Sequence, residues 1–385
     1  MSPLERKIIE KIRSEGPINF EVFMDMALYE PGLGYYTNES TTIGRAGDFY
    51  TSPHLHPIFG AMLGRQMEEM WKAMGSPERF DVVEMGAGMG WLAKDMLDYL
   101  GGTRGRRSEL FPRIRYAIVE LNESVRLRQK ELLKDHPEKV HWIACLRDAG
   151  HVAGCILSNE LLDAFPVRLV EMDDELREIY VSEHEGGLVE VKGPCSAEVR
   201  EYFRGFSLEL PEGYKTEVNL RMRDWLQEVS AALAEGFLLT VDYGYPAWDY
   251  YGEDRSRGTL MCYYRHQVNE DPYRNIGEQD LTAHVNFSSL KAWGEEAGLK
   301  TVGFSAQGTY LVSLGIDEVI AEFSGETPDP FEIAKIKGLI MPGGMGESHK
   351  VMIQYKGDSR GASRSAPTLE SPLRGFTLRN HARKL

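Results

Sequence analysis

Three features of this sequence are marked for chemistry by residue type and spacing: a glycine turn after one apolar run, a pair of acids after another, and a histidine in a polar loop. Glu84-Met85-Gly86-Ala87-Gly88-Met89-Gly90 follows the run Asp81-Val82-Val83 and opens a helical stretch. Glycines there let backbone approach a ligand closely. Such turns also serve dinucleotides, but the spacing here is G-x-G-x-G, not the G-x-G-x-x-G that seats a pyrophosphate. Glu84 would face a phosphate badly and suits the ammonium of a methionine moiety or its water shell. The next run, Tyr116-Ala117-Ile118-Val119, ends in Glu120-Leu121-Asn122. An acid at that position accepts ribose hydroxyls, as it would for NAD as well. An adenine would then lie near Leu146 to Asp148.

These features together point to S-adenosylmethionine. Ala87, Leu121, Leu146 and Asn159 are counted with Glu84, Gly86, Gly88 and Glu120 as its candidate contacts. A fourth run leads into Ser158-Asn159-Glu160-Leu161-Leu162-Asp163-Ala164-Phe165-Pro166. Glu160 and Asp163 lie three apart at an expected helix start, so their carboxylates would share a face. Two acids on one face suit a guanidinium, whose donors form a planar fork. Acids at a helix start also simply complement its dipole. Asp242-Tyr243-Gly244-Tyr245 closes a fifth run, and Asp280-Leu281-Thr282-Ala283-His284-Val285-Asn286-Phe287 precedes another helix. His284 would orient an acid, accept a proton or serve structure alone. Tyr243 and Phe287 would wall the acceptor slot or fill the core.

The elements that must position these groups are short apolar runs alternating with helical stretches. Asp81–Glu84, Tyr116–Glu120, Val140–Ile143, Cys155–Ser158 and Phe237–Asp242 read as parallel strands of βαβ units. Leu4 to Ser14 and Asn19 to Tyr29 read as amphipathic helices, and His56 to Met74 as a third. Arg168–Met172, Leu176–Ser182 and Leu188–Val191 alternate like an antiparallel meander. Leu299–Phe304 and Lys350–Tyr355 read as a final antiparallel pair. The expected fold is a Rossmann-like, doubly wound α/β domain with N-terminal helices and an inserted lobe. Its expected divisions are a helical segment with a covering loop over 1–75 and a core over 76–357, with insertions at about 167–215 and 246–287. The Ser-, Pro- and Arg-rich stretch 358–385 reads as a disordered basic tail.

Composition narrows the partners. The 385 residues carry 59 acidic and 44 basic side chains, a net charge of −15 that disfavours nucleic acid as substrate. No apolar run approaches the ~20 residues of a membrane-spanning helix. The four cysteines form no CxxC pair, so no metal is expected. The start is too acidic for a transit peptide and lacks the apolar stretch of a signal peptide, which makes a cytoplasmic location the expectation.

Several stretches resemble the MidA-type methyltransferases, the mitochondrial complex I assembly methyltransferases and their bacterial relatives. They are Gly44 to Pro53 with Phe59-Gly60, Glu84 to Gly90, Ser158 to Ala164, Val241-Asp242-Tyr243-Gly244, Arg257-Gly258-Thr259-Leu260, Asp280 to Phe287, and Met345-Gly346-Glu347 with Lys350-Val351. The resemblance runs from about Ile18 to Tyr355. It implies a class I, seven-stranded methyltransferase core and S-adenosylmethionine as cofactor. For the mitochondrial members it implies symmetric dimethylation of an arginine in a complex I subunit. Carried over by position, Glu84, Gly86 and Gly88 would hold the methionine part and Glu120 the ribose. Gly47, Asp48 and Thr51 would fold over the cofactor. Glu160 would face the acceptor, with Asp163 and His284 as second candidates. A protein-arginine N-methyltransferase is thus the leading expectation. The alternatives are transfer to another small-molecule or protein acceptor, and a cofactor-binding assembly factor without turnover.

Overall fold

The five expected parallel strands all form. In the computed structural model, which describes residues 1–38, 52–103, 107–324, 329–357 and 372–385, they are β1 (Phe80–Met85), β2 (Ile114–Val119), β3 (Val140–Ile143), β4 (Val152–Asn159) and β5 (Leu233–Tyr245). The expected closing pair is β6 (Lys300–Ala306) and β7 (His349–Lys356). Their hydrogen-bonded order is β6-β7-β5-β4-β1-β2-β3, and an eighth strand of two residues, Val285–Asn286, lies off this path. Pairings from β5 to β3 are parallel, whereas β7 runs antiparallel to both neighbours. The sheet is therefore mixed. Phe237, Leu238, Leu239 and Val241 of β5 are all fully buried, as a strand covered on both faces requires.

Strand order reverses between β1 and β4, and in open α/β sheets ligands bind where that reversal parts the carboxyl ends. The register places Met85 opposite Ser158, and Asn159 opposite Val241. The glycine turn and the Glu160 turn thus leave adjacent strands at one rim.

The chain divides into two units. The seven-strand path belongs to the unit made of the described residues of Tyr50–Leu161, Arg223–Gly244 and Phe287–Leu385. Its core gathers Phe59 and Met62 of the helix Ile58–Ala73 with Met96, Tyr310 and Phe376 and with the strand residues Ile118 and Ile353. The other unit takes the described residues of Met1–Phe49 with Leu162–Met222 and Tyr245–Asn286. The helix Pro3–Glu15 starts on a capping box between Ser2 and Glu5, and Phe20–Tyr29 is capped by Asn19. The expected meander forms as Arg168–Met172, Leu176–His184 and Gly187–Pro194, and Ile18–Asn19 and Lys215–Val218 complete a five-stranded antiparallel sheet. Arg168 bridges Glu21 and the fully buried Glu178 at 2.6 and 2.8 Å.

Three expectations need correction. The segment 1–75 does not stand as one piece: its first two helices pack with the inserted strands, while Ile58–Ala73 packs with the large sheet. Residues 372–385 are packed, not disordered. Leu373 and Phe376 are buried, and the Phe376 ring lies tilted against Tyr310 with centroids 5.3 Å apart. No α-helix starts at Glu160, so the shared helix face expected for Glu160 and Asp163 does not exist. Glu160 has φ +51°, and Leu162–Ala164 is a single 3₁₀ turn.

Candidate functional site

The glycine turn needs its glycines. Gly86, Gly88 and Gly90 have φ of +72°, +51° and +88°, a region that L side chains with a Cβ avoid. A Cβ on Gly86 would also lie 2.9 Å from Leu161 Cδ1. The turn is held from behind. Gln129, fully buried, donates to the Gly88 carbonyl at 2.7 Å and accepts from the Trp142 indole at 2.7 Å. Ala87 packs partly against the core.

Glu84 lies beneath the turn, 2% exposed, and its Oε2 accepts the Tyr116 hydroxyl at 2.7 Å. Burial pushes its carboxyl up to about 7, against the opposing pull of that hydrogen bond. Glu120 stands just beyond β2, half-buried, with Oε1 accepting the Asn122 N–H at 2.8 Å. Burial raises its carboxyl above the usual range, while the amides of Asn122 and Leu121 act the other way. Leu121, next along the rim, is 79% exposed. Leu146 is buried in the 3₁₀ turn Leu146–Ala149, so its side chain serves the core.

This donor set fits an adenosyl group. An acid with acceptor capacity to spare suits vicinal hydroxyls, an uncovered leucine suits a purine face, and a glycine turn admits close backbone approach.

At the neighbouring strand end, Glu160 N–H donates to the Val241 carbonyl at 2.8 Å. The fully buried Asp242 accepts the Leu161 N–H at 3.3 Å and the Tyr243 N–H at 2.9 Å. The turn after β4 is thereby pinned to β5. Glu160 keeps a conformation that a non-glycine residue rarely holds, and such strain is characteristic of functional sites. Its Oε1 accepts the Ser52 N–H at 3.1 Å and the Asn159 amide at 3.4 Å, and lies 3.6 Å from His349 Nε2.

The remaining candidates fall elsewhere in the chain. Asp163 and His284 belong to the other unit, where the Ala283 N–H donates to the Asp163 carbonyl at 2.9 Å. His284 donates its N–H to Thr259 Oγ1 at 3.0 Å and sets its ring against Tyr245 at 5.3 Å. Thr259 and Leu260 are in turn held by the buried Glu217, which accepts both N–H groups. That anchor accounts for Arg257-Gly258-Thr259-Leu260. Phe287 is fully buried against Phe304 and is a core residue, whereas Tyr243 is half-buried beside His349. Gly47, Asp48 and Thr51 lie outside the described residues. Sequence reasoning placed Ser52 in the segment expected over the cofactor, not beside Glu160, and passed over His349. The only signal for His349 was its place between Glu347 and Lys350 in a matching stretch.

Known proteins resemble this chain over most of its length. The model of an S-adenosyl-L-methionine-dependent methyltransferase family matches residues 62–305. A crystal structure of a COG1565 superfamily member from Burkholderia thailandensis, bound to S-adenosyl-homocysteine, is 32% identical with a TM-score of 0.86. The match covers 99% of this chain and 96% of that one. The mitochondrial protein arginine methyltransferase NDUFAF7 of Bos taurus is 28% identical over 86% of this chain and 77% of its own. Its Drosophila melanogaster homolog is 26% identical over 92% and 85%. These relatives are named as mitochondrial proteins, which overturns the cytoplasmic location expected from composition. Among the described residues, no helix is long and apolar enough to cross a membrane.

Proposed function

This chain belongs to the S-adenosyl-L-methionine-dependent methyltransferases, and on that premise we propose that it methylates arginine side chains of a protein partner. The observation that carries the proposal is Glu160: a carboxylate held in a strained turn at the switch-point rim, one strand from the glycine turn. The arginine methyltransferase names of the relatives support it. The family resemblance points further, to a complex I subunit as target and to symmetric dimethylation. The same reading takes the seven strands of the main path as a doubly wound class I core, with Val285–Asn286 as an addition.

S-adenosylmethionine supplies, when bound, an electrophilic methyl group. Gly86, Ala87 and Gly88 would approach its amino-acid end through backbone, with Glu84 beneath them. Glu120 would accept from the ribose, Leu121 would cover the purine, and Asn159 would border the sulfur end. A protonated guanidinium is a poor nucleophile because its charge is delocalised and its pKa exceeds ~12. A carboxylate beside one edge holds the positive charge there and leaves the other nitrogen richer in electrons as the methyl group arrives. That preorganisation acts chiefly in the transition state. Glu160 takes this role.

The experiment is to incubate purified protein and tritiated S-adenosylmethionine with total protein from cells lacking the gene, then hydrolyse and separate the amino acids. Label in methylarginine is expected. Label confined to other residues, or to small molecules, would refute the arginine acceptor while leaving fold and cofactor intact.

A further inference from the structure

Glu160 is held asymmetrically. Ser52 N–H, Asn159 Nδ2 and His349 Nε2 all approach Oε1, at 3.1, 3.4 and 3.6 Å. Oε2 accepts no hydrogen bond from a described residue. A carboxylate has about four acceptor sites over its two oxygens, and the described groups gather on Oε1 alone.

His349 is the one side chain of the three approaches that comes from a distant strand. It opens β7, and sheet register sets it opposite Tyr243 at the end of β5. Its ring and the Glu160 side chain are each 8% exposed. Tyr243 closes on the ring edge-on, with centroids 5.6 Å apart. Ser348 Oγ lies 3.0 Å from Nδ1. The same hydroxyl donates to the Gly344 carbonyl at 3.4 Å, and Nε2 is buried, faces Glu160 Oε1 at 3.6 Å and has no hydrogen-bond partner among the described residues.

We propose that His349 is a positioning residue for the methyl acceptor, fixing Oε1 of Glu160 so that Oε2 meets the guanidinium. The inference rests on the reading of Glu160 as the acceptor-facing acid. It explains why a histidine is buried at the start of β7, and why a glutamate holds a backbone conformation more natural to glycine: the side chain is needed there, and several groups fix it. The ring touches no substrate in this scheme. It acts by limiting the positions open to the carboxylate, which a loosely held glutamate would sample at the expense of rate.

Two measurements test this. The first follows methyl transfer to protein from cells lacking the gene. His349→Ala should lower kcat about tenfold, because a loosened carboxylate spends less time in the productive position, with the KM for S-adenosylmethionine unchanged. His349→Asn, which keeps a donor, should recover most of the loss. In a Glu160→Gln background, His349→Ala should cost less than about twofold, because residues acting through one another are not additive. Full activity of His349→Ala, or losses that multiply in the double variant, would overturn the proposal. Full activity of Glu160→Gln would instead overturn the role of Glu160.

The second measurement needs no turnover and keeps residue 349 intact. In protein labelled with ¹⁵N-histidine, the His349 ring signals, assigned by their loss in His349→Asn, should shift in Glu160→Gln. Unchanged signals would show that the two side chains do not communicate.

Discussion

Replacing Glu84 with glutamine should change how stability depends on pH. The Glu84 carboxyl is 2% exposed and, among the described residues, accepts one hydrogen bond, from Tyr116. Burial raises it from 4.5 in the unfolded chain to about 7 in the fold. The folded protein therefore holds this proton more tightly than the unfolded chain does. The resulting stability is fully present below pH 4.5 and is lost as pH rises to about 7. At about 1.4 kcal/mol per unit, the loss approaches about 3 kcal/mol. Glutamine carries no such proton. The assay is urea unfolding of both proteins, followed by tryptophan fluorescence between pH 4.5 and 8.5. The stability of wild type minus variant should fall by about 3 kcal/mol across pH 4.5 to 7 and stay level above it. A constant difference over the whole range would refute the account, since it would mean that Glu84 ionises alike in both states.

Other outcomes follow from the same geometry. Gly86→Val should abolish binding of S-adenosyl-homocysteine in titration calorimetry. A branched side chain at φ +72° is strained, and its Cβ would lie 2.9 Å from Leu161. Phe376→Ala should lower stability by about 3–5 kcal/mol in thermal unfolding, as loss of a buried aromatic does, because Phe376 is buried against Tyr310. Were the tail loose, the variant would melt with the wild type.

Much of the fold was legible because apolar runs and caps are local signals. All five parallel strands, the closing antiparallel pair and the Asn19 cap sit where alternation and residue type put them. The candidate site was legible in part. Glu84, Gly86, Gly88, Glu120, Asn159 and Glu160 all stand at strand ends of one sheet. The Glu160 turn was misread because an acid, two leucines and a second acid before Pro166 are what a helix start looks like. Nothing local announces that a glutamate will take φ +51°. The described end of the tail, 372–385, was misread for a related reason. Its composition is that of a disordered segment, and the few apolar residues that dock, Leu373 and Phe376, do so against Tyr310, more than sixty positions earlier in the chain. His349 escaped notice because only strand register brings it to Glu160. The grouping of the first two helices with the inserted strands is likewise a matter of contacts distant in sequence.

The central claim is that Glu160 activates an arginine acceptor, and single-turnover methyl transfer by Glu160→Gln tests it most directly. The variant keeps the size of the side chain but removes the charge that a guanidinium would meet. With total protein from cells lacking the gene as acceptor, methylarginine formation should slow by roughly 10² or more, while S-adenosyl-homocysteine binds as it does to the wild type. Methylarginine formed by Glu160→Gln at the wild-type rate would contradict the mechanism.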